Sequence, residues 1–207
     1  MKRCLIVAGA DIGDYGRIKS RIEPDDFIIC CDSGLKHCVP LGIEPDLIIG
    51  DFDSWENPGS DTETIVLPVI KDDTDSAFAV KEALKRGFED FLLIGVFGGR
   101  LDHTLGNIGL LLAIDSAGKK ATALDDFSEV TIACSEPSYI TDDFGFFSLL
   151  SVDGVAGEIT ITGAKYPLEN ASIRADFPLG VSNEVLPGKT ACITVGKGRL
   201  ALFRIFK

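Results

Sequence analysis

Pro45-Asp46-Leu47-Ile48-Ile49-Gly50-Asp51-Phe52-Asp53-Ser54 decides the reading of this chain. A continuous apolar run that ends in glycine and two alternate aspartates describes a buried parallel strand. It delivers carboxylates to its C-terminal end, where open α/β sheets bind their ligands. Two further acidic segments stand at similar strand-to-helix junctions, Lys71-Asp72-Asp73-Thr74-Asp75 and Gly98-Gly99-Arg100-Leu101-Asp102-His103. Together these junctions point to one acidic site. Two carboxylates about 4 Å apart repel by roughly 4 kcal/mol at an effective dielectric near 20, and a hard cation removes that repulsion. Oxygen ligands of this kind suit Mg²⁺, which takes one or two carboxylates together with substrate phosphates. Phosphate chemistry is therefore the expectation. An Asp after a strand is also a common turn residue, and Asp72, Asp73 and Asp75 complement a helix dipole whether or not they hold a metal.

Outward from that segment, short apolar runs alternate with helical stretches up to about residue 125, the pattern of a mostly parallel sheet covered by helices. Strands are expected at 3–8, 27–31, 47–50, 64–67, 91–97 and 121–124. A helix is expected from about Thr74 to Arg86, capped by Asp73, with Ala77, Phe78, Val80 and Leu84 apolar and Gly87 beyond its end. The next begins near Asp102, carries Leu105, Ile108 and Leu112 on one face, and stops around Gly118. After residue 130 the helical period gives way to short strands at 130–134, 146–152, 158–162, 171–175, 191–195 and 200–206, the spacing of an antiparallel sandwich or barrel. The chain thus divides near residues 126 to 130 with no long linker.

A chain of 207 residues buries a sizeable core. The net charge of -12 argues against nucleic-acid and anionic-membrane partners, which require clustered Lys and Arg. A polyanionic nucleotide needs local help from a metal, Arg100, Lys71 or backbone amides. The six cysteines contain no Cys-x-x-Cys, and Cys4, Cys30, Cys31 and Cys192 read as small core residues. His37-Cys38 has no second pair at zinc spacing. The apolar run at the start is cut short by Asp11, so neither a signal peptide nor a membrane segment is expected and a cytoplasmic location is. Gly188-Lys189-Thr190 imitates the end of a P-loop, and Gly196, Gly198 and Ala201 a dinucleotide fingerprint. Both lie among strands and carry no such function.

Taken in order, Asp32 to Gly34, Pro45 to Ser54, Lys71 to Asp75 and Gly98 to Asn107 resemble the thiamine pyrophosphokinase family. The resemblance continues through Thr162-Gly163-Ala164-Lys165-Tyr166-Pro167-Leu168 and Val181-Ser182-Asn183. It implies a Rossmann-like α/β/α domain over 1–128 that binds nucleotide and metal, and a small β-sandwich over 129–207 that binds thiamine. The implied reaction moves the pyrophosphoryl group of ATP to the hydroxyl of thiamine, giving thiamine diphosphate and AMP with Mg²⁺. A homodimer with a site shared between subunits is implied as well.

Carried over by motif, Asp51, Asp53 and Asp75 hold the metal, and Asp32 and Asp102 complete the acidic pocket. Arg100 contacts phosphate, Lys71, His103 and Asn107 lie on the nucleotide side, and Tyr166, Ser182 and Asn183 on the thiamine side. Asp75 is the candidate for orienting the attacking hydroxyl. Tyr166 stands where family members often have Trp, and its ring offers the positive thiazolium an aromatic face. Two other readings compete: an Asp-x-Asp nucleotide-sugar transferase, in which Arg100 and Lys71 to Asp75 have no task, and a non-catalytic thiamine or nucleotide sensor.

Overall fold

The computed structural model describes residues 3–52, 61–68 and 72–207; Asp53 and Lys71 lie outside them. The chain forms two compact units, Met1–Asp126 and Phe127–Lys207.

In the first unit, β1 (Cys4–Val7), β2 (Phe27–Cys31), β3 (Leu47–Gly50), β4 (Glu63–Val66), β5 (Asp90–Ile94) and β6 (Lys120–Leu124) pair in parallel, in the order β6-β5-β1-β2-β3-β4. Every residue of β1 and β3 is buried, as continuous Val, Ile, Leu and Cys runs require when both faces of a strand are covered. The helical segments are α1 (Tyr15–Lys19), a 3-10 turn (Asp32–His37), α2 (Cys38–Leu41), α3 (Asp75–Lys85) and α4 (Leu101–Ser116). Edge strand β4 is partly exposed, and its Glu63 takes a two-pronged pair from Arg86 just beyond α3.

Two details of the helices differ from expectation. The cap of α3 is Thr74, whose Oγ1 accepts from the Ala77 N–H at 3.2 Å, while Asp73 pairs with Lys81 at 2.7 Å. The buried line of α4 is Asn107, Leu111 and Ile114; Leu105, expected on an apolar face, is 62 % exposed. The inward line contains a polar residue whose amide finds partners, and hydropathy alone reads that line as the outer one.

The second unit contains, among the described residues, β7 (Ser128–Ala133), β8 (Ser138–Thr141), β9 (Phe144–Ser151), β10 (Val155–Thr162), β11 (Leu168–Arg174), β12 (Gly180–Asn183), β13 (Thr190–Lys197) and β14 (Leu200–Phe206). They pair antiparallel in the orders β12-β9-β14-β7 and β11-β10-β13-β8. One buried cluster draws Phe147, Leu149, Leu200 and Leu202 from the first set and Ile159, Ile161, Ile173 and Ile193 from the second. Strands β8 and β12 go beyond the sequence reading, because four residues such as Ser-Tyr-Ile-Thr or Gly-Val-Ser-Asn carry too little alternation to stand out.

Candidate active site

The parallel sheet starts at β1, grows outward to β4, then returns to the other side of β1 with β5. The order therefore reverses between β1 and β5. Ligand crevices form beyond the carboxyl ends of strands at such a reversal. A cavity of about 320 Å³ opens there. Its walls are Ala8 to Asp11 after β1, Ser33 after β2, Thr74 to Ser76 at the start of α3, the glycine-rich turn from Gly95 to Arg100 after β5, and His103 and Asn107 on α4.

Asp32 opens the 3-10 turn after β2, Asp51 follows the last residue of β3, and Asp75 is the first residue of α3. Each offers a carboxylate oxygen, and these oxygens all lie within 4.8 Å of one another. At that spacing each pair repels by about 3 to 4 kcal/mol at an effective dielectric near 20. A donor set made only of carboxylate oxygen suits a hard divalent cation, and Mg²⁺ fits it. Gly50 permits the approach: a Cβ there would meet the Asp32 Cβ at 2.7 Å. Phe52 holds φ at 55°, turning the chain directly after Asp51. A bulky side chain in the left-handed region costs about 1 to 2 kcal/mol and such outliers gather at functional sites.

Buried hydrogen bonds fix these walls. The Ser76 hydroxyl donates to Asn107 Oδ1 at 3.0 Å, and Asn107 Nδ2 donates to the Val96 carbonyl at 2.7 Å. This couples the first turn of α3, which carries Asp75, to the turn after β5 and to α4. Asn107 thus lines the cavity while its amide braces it. Arg100 forks onto Asp102, with Nη2–Oδ2 at 2.5 Å and Nε–Oδ1 at 3.2 Å. That bond holds the Asp102 carboxyl down to about 2 and raises Arg100. Asp102 does not join the three clustered carboxylates; it pairs with Arg100, which lines the cavity beside His103.

In the second unit, Asn183 is buried and its amide makes three hydrogen bonds to main chain. Its Oδ1 accepts from the N–H groups of Tyr166 and Glu184 at 3.0 and 2.9 Å, and its Nδ2 donates to the Tyr166 carbonyl at 2.8 Å. The amide that sequence reading assigned to substrate therefore clamps the Tyr166 backbone. Tyr166 is 57 % exposed, with Lys165 Nζ 5.5 Å from its ring centroid and Lys165 paired to Glu184 at 2.7 Å. Ser182 has φ of 58° and donates its N–H to Ser148 Oγ at 3.0 Å, leaving an exposed side chain close in sequence to that clamp.

Sequence reading left out Ala8 to Asp11, Ser33 and Ser76. Their only signals are small residues directly after a strand, in Ala8-Gly9-Ala10 and Asp32-Ser33-Gly34, and a serine one residue past Asp75.

Two family models match the chain: the thiamin pyrophosphokinase catalytic domain over residues 18–123 and the thiamin pyrophosphokinase vitamin B1 binding domain over residues 130–200. The thiamine pyrophosphokinase of Bacillus subtilis (strain 168) is 28 % identical over 212 residues, covering 99 % of both chains. The crystal structure of thiamine pyrophosphokinase from Bacillus subtilis superposes with a TM-score of 0.87 at 27 % identity, covering 100 % of both chains. That of the thiamin pyrophosphokinase from Geobacillus thermodenitrificans gives 0.84 at 27 % identity, covering 99 % of this chain and 98 % of that one.

Proposed function

The chain belongs to the thiamin pyrophosphokinase family, and on that premise we propose how its residues divide the work of the reaction. The enzyme is a diphosphotransferase that moves the pyrophosphoryl group of ATP to thiamine, releasing AMP and thiamine diphosphate. In this reading the first unit is a Rossmann-like domain that takes nucleotide, and the second a β-sandwich that takes thiamine. The nucleotide-sugar transferase and sensor readings fit less well, since neither accounts for matches to both the catalytic and the vitamin-binding models.

The observation that carries the division is the three-carboxylate cluster beside the cavity at the sheet reversal. Asp32, Asp51 and Asp75 hold Mg²⁺, with Asp53 as a fourth donor two residues past Asp51. Bound Mg²⁺ supplies neutralisation of phosphate charge. Asp75 belongs both to the cluster and to the cavity wall, so its carboxylate orients the thiamine hydroxyl and takes its proton as that oxygen bonds to the β-phosphorus. The bond between the α-phosphate oxygen and the β-phosphorus breaks, and AMP departs. Arg100, steadied by Asp102, meets the phosphates, with Lys71 as a second cation and His103 on the nucleotide side. Such transfer passes through a loose transition state, so positioning and charge matter more than a strong base.

Tyr166 presents its ring to the thiazolium, Asn183 fixes that ring's backbone, and Ser182 contributes its exposed hydroxyl. A homodimer sharing the site completes the reading, supported by apolar side chains left in solvent: Leu101 and Leu105 on α4, Phe177 and Leu179 in the second unit. Among the described residues no helix is long and apolar enough to cross a membrane. Among the described residues no cysteine is held in a disulfide, which suits a reducing compartment such as the cytoplasm.

The test is Asp51→Asn and Asp75→Asn, each removing charge at nearly constant volume. Roughly 100-fold or greater loss of turnover is expected, with weakened Mg²⁺ binding by calorimetry and an intact fold by circular dichroism. Wild-type turnover in either variant overturns the metal assignment.

A further inference from the structure

His37 is buried to 1 % exposure at the end of the 3-10 turn that begins with Asp32, and both its ring nitrogens are engaged. Nε2 lies 2.9 Å from the Ala10 carbonyl oxygen and Nδ1 lies 2.8 Å from the Tyr15 hydroxyl. A carbonyl oxygen only accepts, so Nε2 carries the proton and donates it. Nδ1 then accepts from the Tyr15 O–H. The tautomer is fixed from both sides.

Ala10 is a wall residue of the cavity. Its own N–H donates to the Gly95 carbonyl at 2.8 Å, and the Ala8 N–H donates to the Ile94 carbonyl at 2.9 Å. On that flank the loop after β1 is therefore strapped to the end of β5. On the other flank its ties are His37 to Ala10 and the exposed ion pair of Lys36 with Asp11 at 2.7 Å. An exposed pair contributes little. The part-buried imidazole bond, made by a ring of a buried residue, is the firmer of these two attachments between the loop and the turn that carries Asp32 and Ser33.

We infer that His37 is a positioning residue for the nucleotide: through its Nε2–H bond to Ala10 it holds the loop from Ala8 to Asp11 as the wall against which ATP binds. The inference rests on the reading of this cavity as the nucleotide site. His37 touches no substrate and acts only through the Ala10 carbonyl. Its loss should weaken ATP and leave thiamine, read by the second unit, unaffected.

The experiment compares wild type with His37→Leu, which removes both ring nitrogens, His37→Gln, whose side-chain amide retains a donor, and Tyr15→Phe, which frees the tautomer. In steady state His37→Leu should raise KM for ATP roughly tenfold, the loss of one buried hydrogen bond, with KM for thiamine and kcat each within about threefold of wild type. His37→Gln should recover most of that, and Tyr15→Phe should show a smaller rise. An unchanged KM for ATP in folded His37→Leu, or equal rises for both substrates, overturns the inference.

Nitrogen-15 spectra of the unliganded enzyme provide a second readout that needs neither turnover nor a stable variant. The chain has two histidines, so His103→Gln assigns the signals. The Nε2–H tautomer of His37 is expected; an Nδ1–H tautomer overturns the inference. Arg100→Ala, at the cavity wall itself, separates the two failures. If the cavity is not the nucleotide site, Arg100→Ala and His37→Leu both leave the affinity for a non-hydrolysable ATP analogue unchanged, whereas a loss in Arg100→Ala with none in His37→Leu, or the wrong tautomer, refutes the role of His37 alone.

Discussion

Gly50→Ala tests whether close approach of β3 to the 3-10 turn builds the carboxylate cluster. The added methyl carbon would stand 2.7 Å from the Asp32 Cβ and 3.2 Å from its Cα. Carbon atoms pack best at about 3.5 to 4.0 Å, so relief demands a shift of roughly 1 Å. Both contacts belong to the root of Asp32 and not to a flexible tip, and Asp32 is itself only 4 % exposed. The displacement therefore passes to the carboxylate. Overpacking of this kind lowers stability by about 1 to 3 kcal/mol, and a displacement of about 1 Å in a reacting constellation lowers turnover by roughly 100-fold. Urea unfolding would give the first figure, and thiamine diphosphate formation across a Mg²⁺ titration the second, with half-saturation moved to higher Mg²⁺. Gly109→Ala is the control: it lies within α4 with nothing within 4 Å of the added carbon, so stability should hold or rise. A Gly50→Ala enzyme with wild-type turnover and Mg²⁺ dependence would refute the claim that Asp32 belongs to the metal site.

Other expectations follow from buried charge and from the second unit. Arg3 grips Asp26 through Nε–Oδ1 at 2.9 Å and Nη2–Oδ2 at 2.8 Å, and the Asp26 side chain is only 1 % exposed. Arg3→Met should therefore cost about 3 kcal/mol or more of unfolding free energy, and a loss under about 1 kcal/mol would count against the buried pair. Burial lowers the pKa of His37 from its ordinary 6.5, with Lys36 acting in the same sense and Asp11 and the Ala10 bond opposing. Below 6.5 the unfolded chain takes up a proton that the folded one refuses. This contribution is thus complete above 6.5 and is lost as pH falls toward the folded value. Unfolding midpoints at about pH 7.5 and 5.5 should differ less in His37→Gln than in wild type; equal differences would contradict the linkage. Tyr166→Ala should raise KM for thiamine by roughly 2- to 30-fold, the range of a cation–π contact of about 0.5 to 2 kcal/mol, and Tyr166→Trp should lower it. No change with Ala would remove Tyr166 from the thiamine side.

The parallel sheet was legible because its strands are buried on both faces and so read as unbroken apolar runs, as in Leu47 to Gly50. The end of that run also named Asp51. The clustering of Asp32 with Asp51 and Asp75 was harder to see, since it depends on the adjacency of β2 and β3 and on a missing Cβ at Gly50, neither of which a local pattern records. Asp102, read as part of the acidic pocket, and Asn183, read as a thiamine-side residue, carry partners that no local pattern records: the first pairs with Arg100 and the second bonds the Tyr166 backbone. Thr74 and not Asp73 caps α3, while Asp73 pairs with Lys81, eight residues and about two helical turns further on, a pairing that the local pattern of caps does not record. The loop after β1 left little mark on the sequence for a simpler reason: its ties to Ile94, Gly95 and His37 run through its own backbone groups, which residue types do not record.

The most direct test of the account is to incubate the purified protein with ATP, Mg²⁺ and thiamine and to follow nucleotide and thiamine products by chromatography, with and without chelator. AMP and thiamine diphosphate should appear in equal amounts and both should vanish with chelator; ADP with thiamine monophosphate, or product formation that persists without the metal, would contradict it.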